Sequence, residues 1–234
     1  MKFRFAIAAL ATAVVGLAVA QTPTPQPTPQ PVPQPGAAAA GPIAIPPAPK
    51  PVGTAWILMD YTTGQVLAGE NYDERVEPAS ITKVMTSYVL ASEQANGKIK
   101  PTDQVMMSER AWREGGAGTD GSYSGFAVNQ TATLLDMEKG MAVQSGNDAA
   151  IALAEHTAGS QEAFASLMNS YAAKIGMKGS NFINAHGLSA PEHFSTAHDL
   201  ARLGQALIRD FPETYAFNKI KEFTVGTITQ PNRN

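Results

Sequence analysis

The sequence predicts an α+β fold in which an antiparallel sheet packs against a helical block. Three observations carry the prediction. Strand-like stretches sit at both ends of the body, residues 52–234. Helical periodicity fills its middle. No strand–helix–strand alternation appears, which excludes a parallel sheet built from βαβ units.

The chain opens with MKFRFAIAALATAVVGLAVA. Lys2 and Arg4 form a basic start, and the apolar run Ala6–Leu17 is short for a permanent membrane span. Ala18-Val19-Ala20 fits a small-x-small cleavage site, so residues 1–20 read as a signal peptide. Twelve of the 17 prolines fall between Gln21 and Pro51. Repeated X-Pro steps bar helix, and the missing N–H groups bar a sheet interior. Residues 21–51 therefore read as a disordered, polyproline-like linker. A leader followed by a spacer predicts a body exported to the periplasm or cell envelope.

Within the body, Thr54–Asp60, a turn at Tyr61–Gly64 and Gln65–Ala68 read as a hairpin. Ala79–Ala95 reads as a helix ended by Asn96-Gly97. Gly115–Gly125, with five glycines in eleven residues, reads as a loop. Leu134–Val143 and the Ala-rich Asp148–Thr157 read as helices, the second stopped by Gly159. Ser160 caps a further helix to Ile175, with Gly176 after it. Thr196–Asp210 carries Leu200, Leu203, Leu207 and Ile208 at helical spacing and precedes Pro212. Phe223–Thr229 returns to strand. Internal repeats are absent.

Composition narrows the chemistry. The chain has 234 residues, a net charge of −3, four histidines and no cysteine. That excludes disulfide scaffolds, thiolate zinc sites, iron–sulfur clusters and cysteine nucleophiles. Mild acidity argues against nucleic-acid binding, which needs clustered Lys and Arg. Acyl transfer by a Lys-activated Ser stays open. The one Ser-x-x-Lys is Ser80-Ile81-Thr82-Lys83, an i, i+3 pair that shares a helix face. A helix start there also supplies N–H groups able to meet an oxyanion. The one Ser-x-Asn is Ser145-Gly146-Asn147, between two predicted helices. Alone, it fits a helix cap equally well. A metal site from His186, His193 and His198 lacks the H-E-x-x-H pattern. Neither a metal nor another cofactor is expected.

Together the two motifs match two of the three elements of penicillin-binding proteins and class A β-lactamases. The chain resembles the low-molecular-mass penicillin-binding proteins, serine-type D-alanyl-D-alanine carboxypeptidases of the S11 type. The likeness runs through Asp60–Leu67, Pro78–Thr86, Gln144–Ala149, His186-Gly187-Leu188, Gly204–Asp210 and Gln230–Asn234, and so covers Val52 to the last residue. It implies a β-lactamase/DD-peptidase-like fold. It implies that Ser80 attacks the penultimate D-alanine carbonyl of a peptidoglycan stem peptide, that the terminal D-alanine leaves, and that water hydrolyses the acyl-enzyme. Lys83 takes the Ser80 proton, Ser145 passes one to the leaving amine, and Asn147 holds Lys83 and the substrate. β-Lactams acylate Ser80 by the same likeness.

The third family element departs. No Lys-Thr-Gly or Lys-Ser-Gly occurs, and Lys178-Gly179-Ser180 has the wrong order. The expectation is a domain (52–234) incomplete at its C-terminus, with later strands and any membrane anchor missing. That removes a cation, a carboxylate-binding group and a second oxyanion donor, so this chain is expected to be inactive or weak. Two other functions compete. One is a D,D-endopeptidase of cross-links. The other is a non-catalytic peptidoglycan- or penicillin-binding module. A β-lactamase is disfavoured, because no Glu-x-x-Leu-Asn lies between Asn147 and Asn184.

Overall fold

The first hairpin forms as read: β1 (Trp56–Met59) pairs antiparallel with β2 (Val66–Glu70). Asp60 builds its turn. One carboxylate oxygen accepts the Thr63 N–H and the Thr63 hydroxyl, each at 2.7 Å. Gly64 then takes φ +72°, a conformation open to glycine at little cost. The structure, a computed structural model, describes residues 47–232 apart from 49, 117, 118 and 120. The signal peptide and most of the linker lie outside the described residues.

A 3-10 turn, Ala79–Ile81, leads into α1 (Thr82–Ala95). Ten residues of α1 are buried, among them Met85, Val89 and Leu90, so the helix runs through the middle of the body. Two short strands follow at a distance in sequence: β3 (Gln104–Met106) pairs with β4 (Thr131–Thr133). Between them lies α2 (Glu109–Gly115), capped by the Ser108 side chain. None of these three was legible in the sequence. Three-residue strands and a seven-residue helix are too short to show a period.

The helical block holds. It comprises α3 (Leu134–Gln144), α4 (Asn147–Ala158) and α5 (Gln161–Lys174). Gly159 ends α4 at φ +83°, and the Ser160 hydroxyl caps α5 by accepting the Ala163 N–H. After α6 (Ala197–Asp210), Pro212 begins a short helix, α7 (Pro212–Tyr215), at its first position. The predicted strand Phe223–Thr229 is two strands. Gly226, at φ +58°, turns the chain between β5 (Glu222–Val225) and β6 (Ile228–Pro231).

The strands make three separate two-stranded antiparallel ladders among the described residues. β1 packs on α6, and α4 lies among α2, α3 and α5. Phe164, Phe182, Leu134, Met137, Leu153 and Leu203 are fully buried in the core that joins them. Among the described residues no helix is long and apolar enough to cross a membrane.

Candidate active site

Ser80 lies in the 3-10 turn and Lys83 at the second position of α1. In a 3-10 turn residues i and i+3 eclipse, which sets the two side chains in line on one face. The Lys83 ammonium stands 3.1 Å from Ser80 Oγ. The turn is strained, since Ala79 holds φ +46° without being glycine. What holds it is Gly187, at φ +92°, pressed against the Ala79 carbonyl.

Lys83 is only 6% exposed. Besides Ser80, its Nζ donates to Asn147 Oδ1 at 2.6 Å and to the His186 carbonyl at 2.7 Å. Burial pushes its pKa down to about 8, and the nearby Asp148 carboxylate pulls in the opposite direction. All three partners accept, which matches the three N–H donors of the ammonium. Once the proton is lost, the Asn147 and His186 oxygens still hold two N–H bonds and the lone pair is left for the Ser80 hydroxyl.

The loop that supplies the His186 carbonyl is stitched to α1. Thr86 Oγ1 donates to the Ala185 carbonyl at 2.6 Å. His193 accepts the Ile183 N–H at Nδ1, so its Nε2 carries the proton and donates to Thr82 Oγ1 at 2.9 Å. Asn184 folds the loop on itself: Oδ1 accepts the Gly187 N–H (2.7 Å) and the His186 N–H (3.2 Å), while Nδ2 donates to the Leu188 carbonyl (2.9 Å). Burial and the neighbouring Lys83 push His186 down to about 4, so its ring is neutral near pH 7. Sequence reasoning gave these residues no role. Their signal is an Asn two positions before a His-Gly pair, the pattern of a side-chain-built turn with a positive-φ glycine.

Ser145 ends α3 in the left-handed region, at φ +56°. Gly146 is the N-cap of α4, without a side-chain cap, and Asn147 is already the first helical residue. The helix-cap reading of Ser145 or Asn147 therefore fails, because the Asn147 amide faces Lys83 instead. Ser145 lines one cleft with Ser80, Lys83, Val84 and Met141, of about 220 Å³. So the four sequence candidates Ser80, Lys83, Ser145 and Asn147 converge at one place.

Other sequence features disperse. The Gly179 N–H and the Ser180 hydroxyl are spent on Asp199 Oδ2 in the first turn of α6, at 2.7 and 2.8 Å, and form no strand. His198 pairs with Asp73 at 3.0 Å, away from His186 and His193 in its bonding. Among the described residues no three His, Asp or Glu side chains gather to hold a metal.

A family model described as D-alanyl-D-alanine carboxypeptidase, Peptidase S11, matches residues 45–234. D-alanyl-D-alanine carboxypeptidase DacC of Escherichia coli (strain K12) is 52% identical over 188 residues, 80% of this chain and 47% of that protein. DacA of the same organism is 45% identical over 191 residues, again 47% of its length. The chain thus spans about half the length of the curated relatives it matches. Penicillin binding protein 5 from Haemophilus influenzae superposes with a TM-score of 0.76 at 41% identity, over 80% of this chain and 54% of that one. Penicillin binding protein 6B from Escherichia coli gives 0.73 at 40% identity, over 81% and 61%.

Proposed function

The chain belongs to the peptidase S11 family of D-alanyl-D-alanine carboxypeptidases, and on that premise we propose that it carries the acyl-transfer centre of such an enzyme, with Ser80 as the nucleophile. The observation that supports this reading is the set of three partners around Lys83 Nζ: Ser80 Oγ, Asn147 Oδ1 and the His186 carbonyl. Two acceptors use up the N–H bonds of a neutral amine, and the third position is a hydroxyl that can be deprotonated.

In the first step Lys83 takes the Ser80 proton while Oγ bonds to the penultimate D-alanine carbonyl of a stem peptide. The Ser80 N–H, in the first turn of a helical segment, is the candidate donor to the resulting oxyanion. The tetrahedral centre then collapses. The bond to the terminal D-alanine breaks, and the leaving nitrogen receives a proton through the Ser145 hydroxyl from Lys83. Water finally hydrolyses the ester on Ser80. Positioned proton transfer of this kind is worth roughly 10²–10⁴-fold in rate. A β-lactam would acylate Ser80 by the same attack on its ring amide.

The 234 residues carry no Lys-Thr-Gly or Lys-Ser-Gly. The cation and second oxyanion donor that the family's third motif contributes are therefore not supplied by this sequence. Loss of one oxyanion donor typically costs about 10²–10³-fold in rate. The leader-like start and the Pro-rich segment support export to the periplasm or cell envelope, with the catalytic body from residue 52.

The test is a labelled penicillin incubated with the chain, the adduct located by peptide mass spectrometry, beside D-alanine release from a pentapeptide. Label on Ser80, lost in Ser80→Ala, supports the reading. Label elsewhere, or full carboxypeptidase turnover in Ser80→Ala, defeats it. Cleavage of cross-linked dimers in preference to pentapeptide would move the activity to D,D-endopeptidase.

A further inference from the structure

Asp148 follows Asn147 and is 1% exposed. A carboxylate so buried needs partners, and it has them in one residue. Ser124, itself fully buried, donates its N–H to Oδ1 and its hydroxyl to Oδ2, both at 2.8 Å. Two residues earlier, the Ser122 carbonyl accepts the Asn147 N–H at 2.8 Å. Three hydrogen bonds thus tie segment 122–124 to the first two residues of α4. α2 closes the other side, where a Cβ on Gly115 would meet the Asn147 carbonyl carbon at 2.6 Å. At Gly146 an added Cβ would meet Ser124 Cβ at 2.8 Å and Asp148 Oδ1 at 2.9 Å.

The Asn147–Asp148 peptide is therefore gripped from both sides, and the Asn147 amide it carries touches Lys83. The charge pattern points the same way. The titratable groups set against Lys83 are Asp148 from α4 and His186 from the 184–188 loop, and His186 is neutral near pH 7. Charged groups elsewhere on the surrounding helices are engaged with other partners. Glu114 of α2 and Glu162 of α5 pair with Arg110, Glu138 of α3 with Gln94, and Glu155 of α4 with Ser108.

We propose that Asp148 is a positioning residue for Lys83: its carboxylate locks segment 122–124 onto α4, which aims the Asn147 amide, and its charge offsets the burial of the ammonium. This deepens the acyl-transfer reading, because Asp148 then sets the pH at which Lys83 can accept the Ser80 proton.

An NMR titration of the chain labelled with ¹³C-lysine reads the Lys83 midpoint without involving Ser80, the signal being identified by its loss in Lys83→Met. Asp148→Asn keeps the size and an acceptor for the Ser124 N–H but removes the charge. It is expected to lower the midpoint from about 8 by about one pH unit. Ser124→Ala removes one clamp bond but keeps the backbone bond at 124 and the charge, and is expected to lower the midpoint by much less. An unchanged midpoint in folded Asp148→Asn overturns the proposal, as does an equal fall in Ser124→Ala. Should Asp148→Asn not fold, Lys83→Met/Asp148→Asn decides. A recovered cooperative melt supports the pairing, since removing both charges relieves an unpaired one, and continued unfolding overturns it. Penicillin labelling runs in parallel. Absence of label at every pH, with Lys83 titrating as expected, defeats the Ser80 reading and leaves Asp148 standing.

Discussion

Gly187→Ala tests whether the strained turn under Ser80 depends on a backbone contact. An added Cβ at Gly187 would sit 2.5 Å from the Ala79 carbonyl carbon and nearer still to its oxygen, with Thr82 Oγ1 at 2.9 Å. Ordinary contact begins at 3.4 Å, so the loop must retreat by at least about 0.9 Å. The His186 carbonyl, one residue back, would move from 2.7 Å to at least about 3.6 Å from Lys83 Nζ, beyond hydrogen-bonding range. Losing an acceptor on a charged group costs about 1.5–3 kcal/mol. A left-handed alanine adds about 1 kcal/mol more. The assay is urea unfolding of Gly187→Ala beside Gly97→Ala. Gly97 has φ +71° but nothing within 4 Å of an added Cβ, so it isolates the backbone term. The expected loss is about 1 kcal/mol for Gly97→Ala and about 2.5–4 kcal/mol for Gly187→Ala. Equal losses in the two variants would refute the argument that the 186–188 loop is wedged against Ala79.

Four other outcomes follow from the structure. Penicillin acylation of Ser80 should rise about tenfold per pH unit up to about 8, as Lys83 loses its proton. Because this lysine is depressed from 10.5, the unfolded chain binds more protons between about 8 and 10.5. Its contribution to stability should therefore rise with pH across that window, as melts at fixed ionic strength would show. Asn147→Ala removes the 2.6 Å acceptor on Lys83, and a stopped-flow acylation rate should fall about 10–100-fold, in line with about 1.5–3 kcal/mol. Glu138 is buried, with Gln94 as its hydrogen-bond donor, and burial pushes it up from 4.5 to about 7. The folded state holds that proton more tightly, so its stabilising effect is complete below pH 4.5 and is lost as pH rises through 7. Glu138→Gln should flatten that part of the stability–pH curve and be more stable than the parent at pH 8, by up to about 3 kcal/mol.

Much was determined by local chemistry alone. The Asp60–Gly64 turn, the Ser160 cap and the Gly159 stop act within a few residues of themselves, so short-range rules read them correctly. The Ser80–Lys83 pair was legible because a three-residue spacing becomes proximity on any helical turn. Ser145 and Asn147 were legible only as a motif, since nothing near them in sequence says what they face. Tertiary structure alone decided that Ser145 shares a cleft with Lys83 and that Lys83 meets Asn147 across 64 residues and the His186 carbonyl across 103. It also decided the roles of Asn184 and Gly187, whose partners are backbone groups that any residue type offers alike, and of Ser124 and Asp148, which meet across 24 residues. The short strands β3 and β4 exist because packing brings Gln104–Met106 beside Thr131–Thr133. Their local preference is too weak to announce a strand in so few residues. A side chain's chemistry is written in its letter, but the dielectric around it and the groups opposite it come only from folding, and those are what bring Lys83 to a pKa near 8.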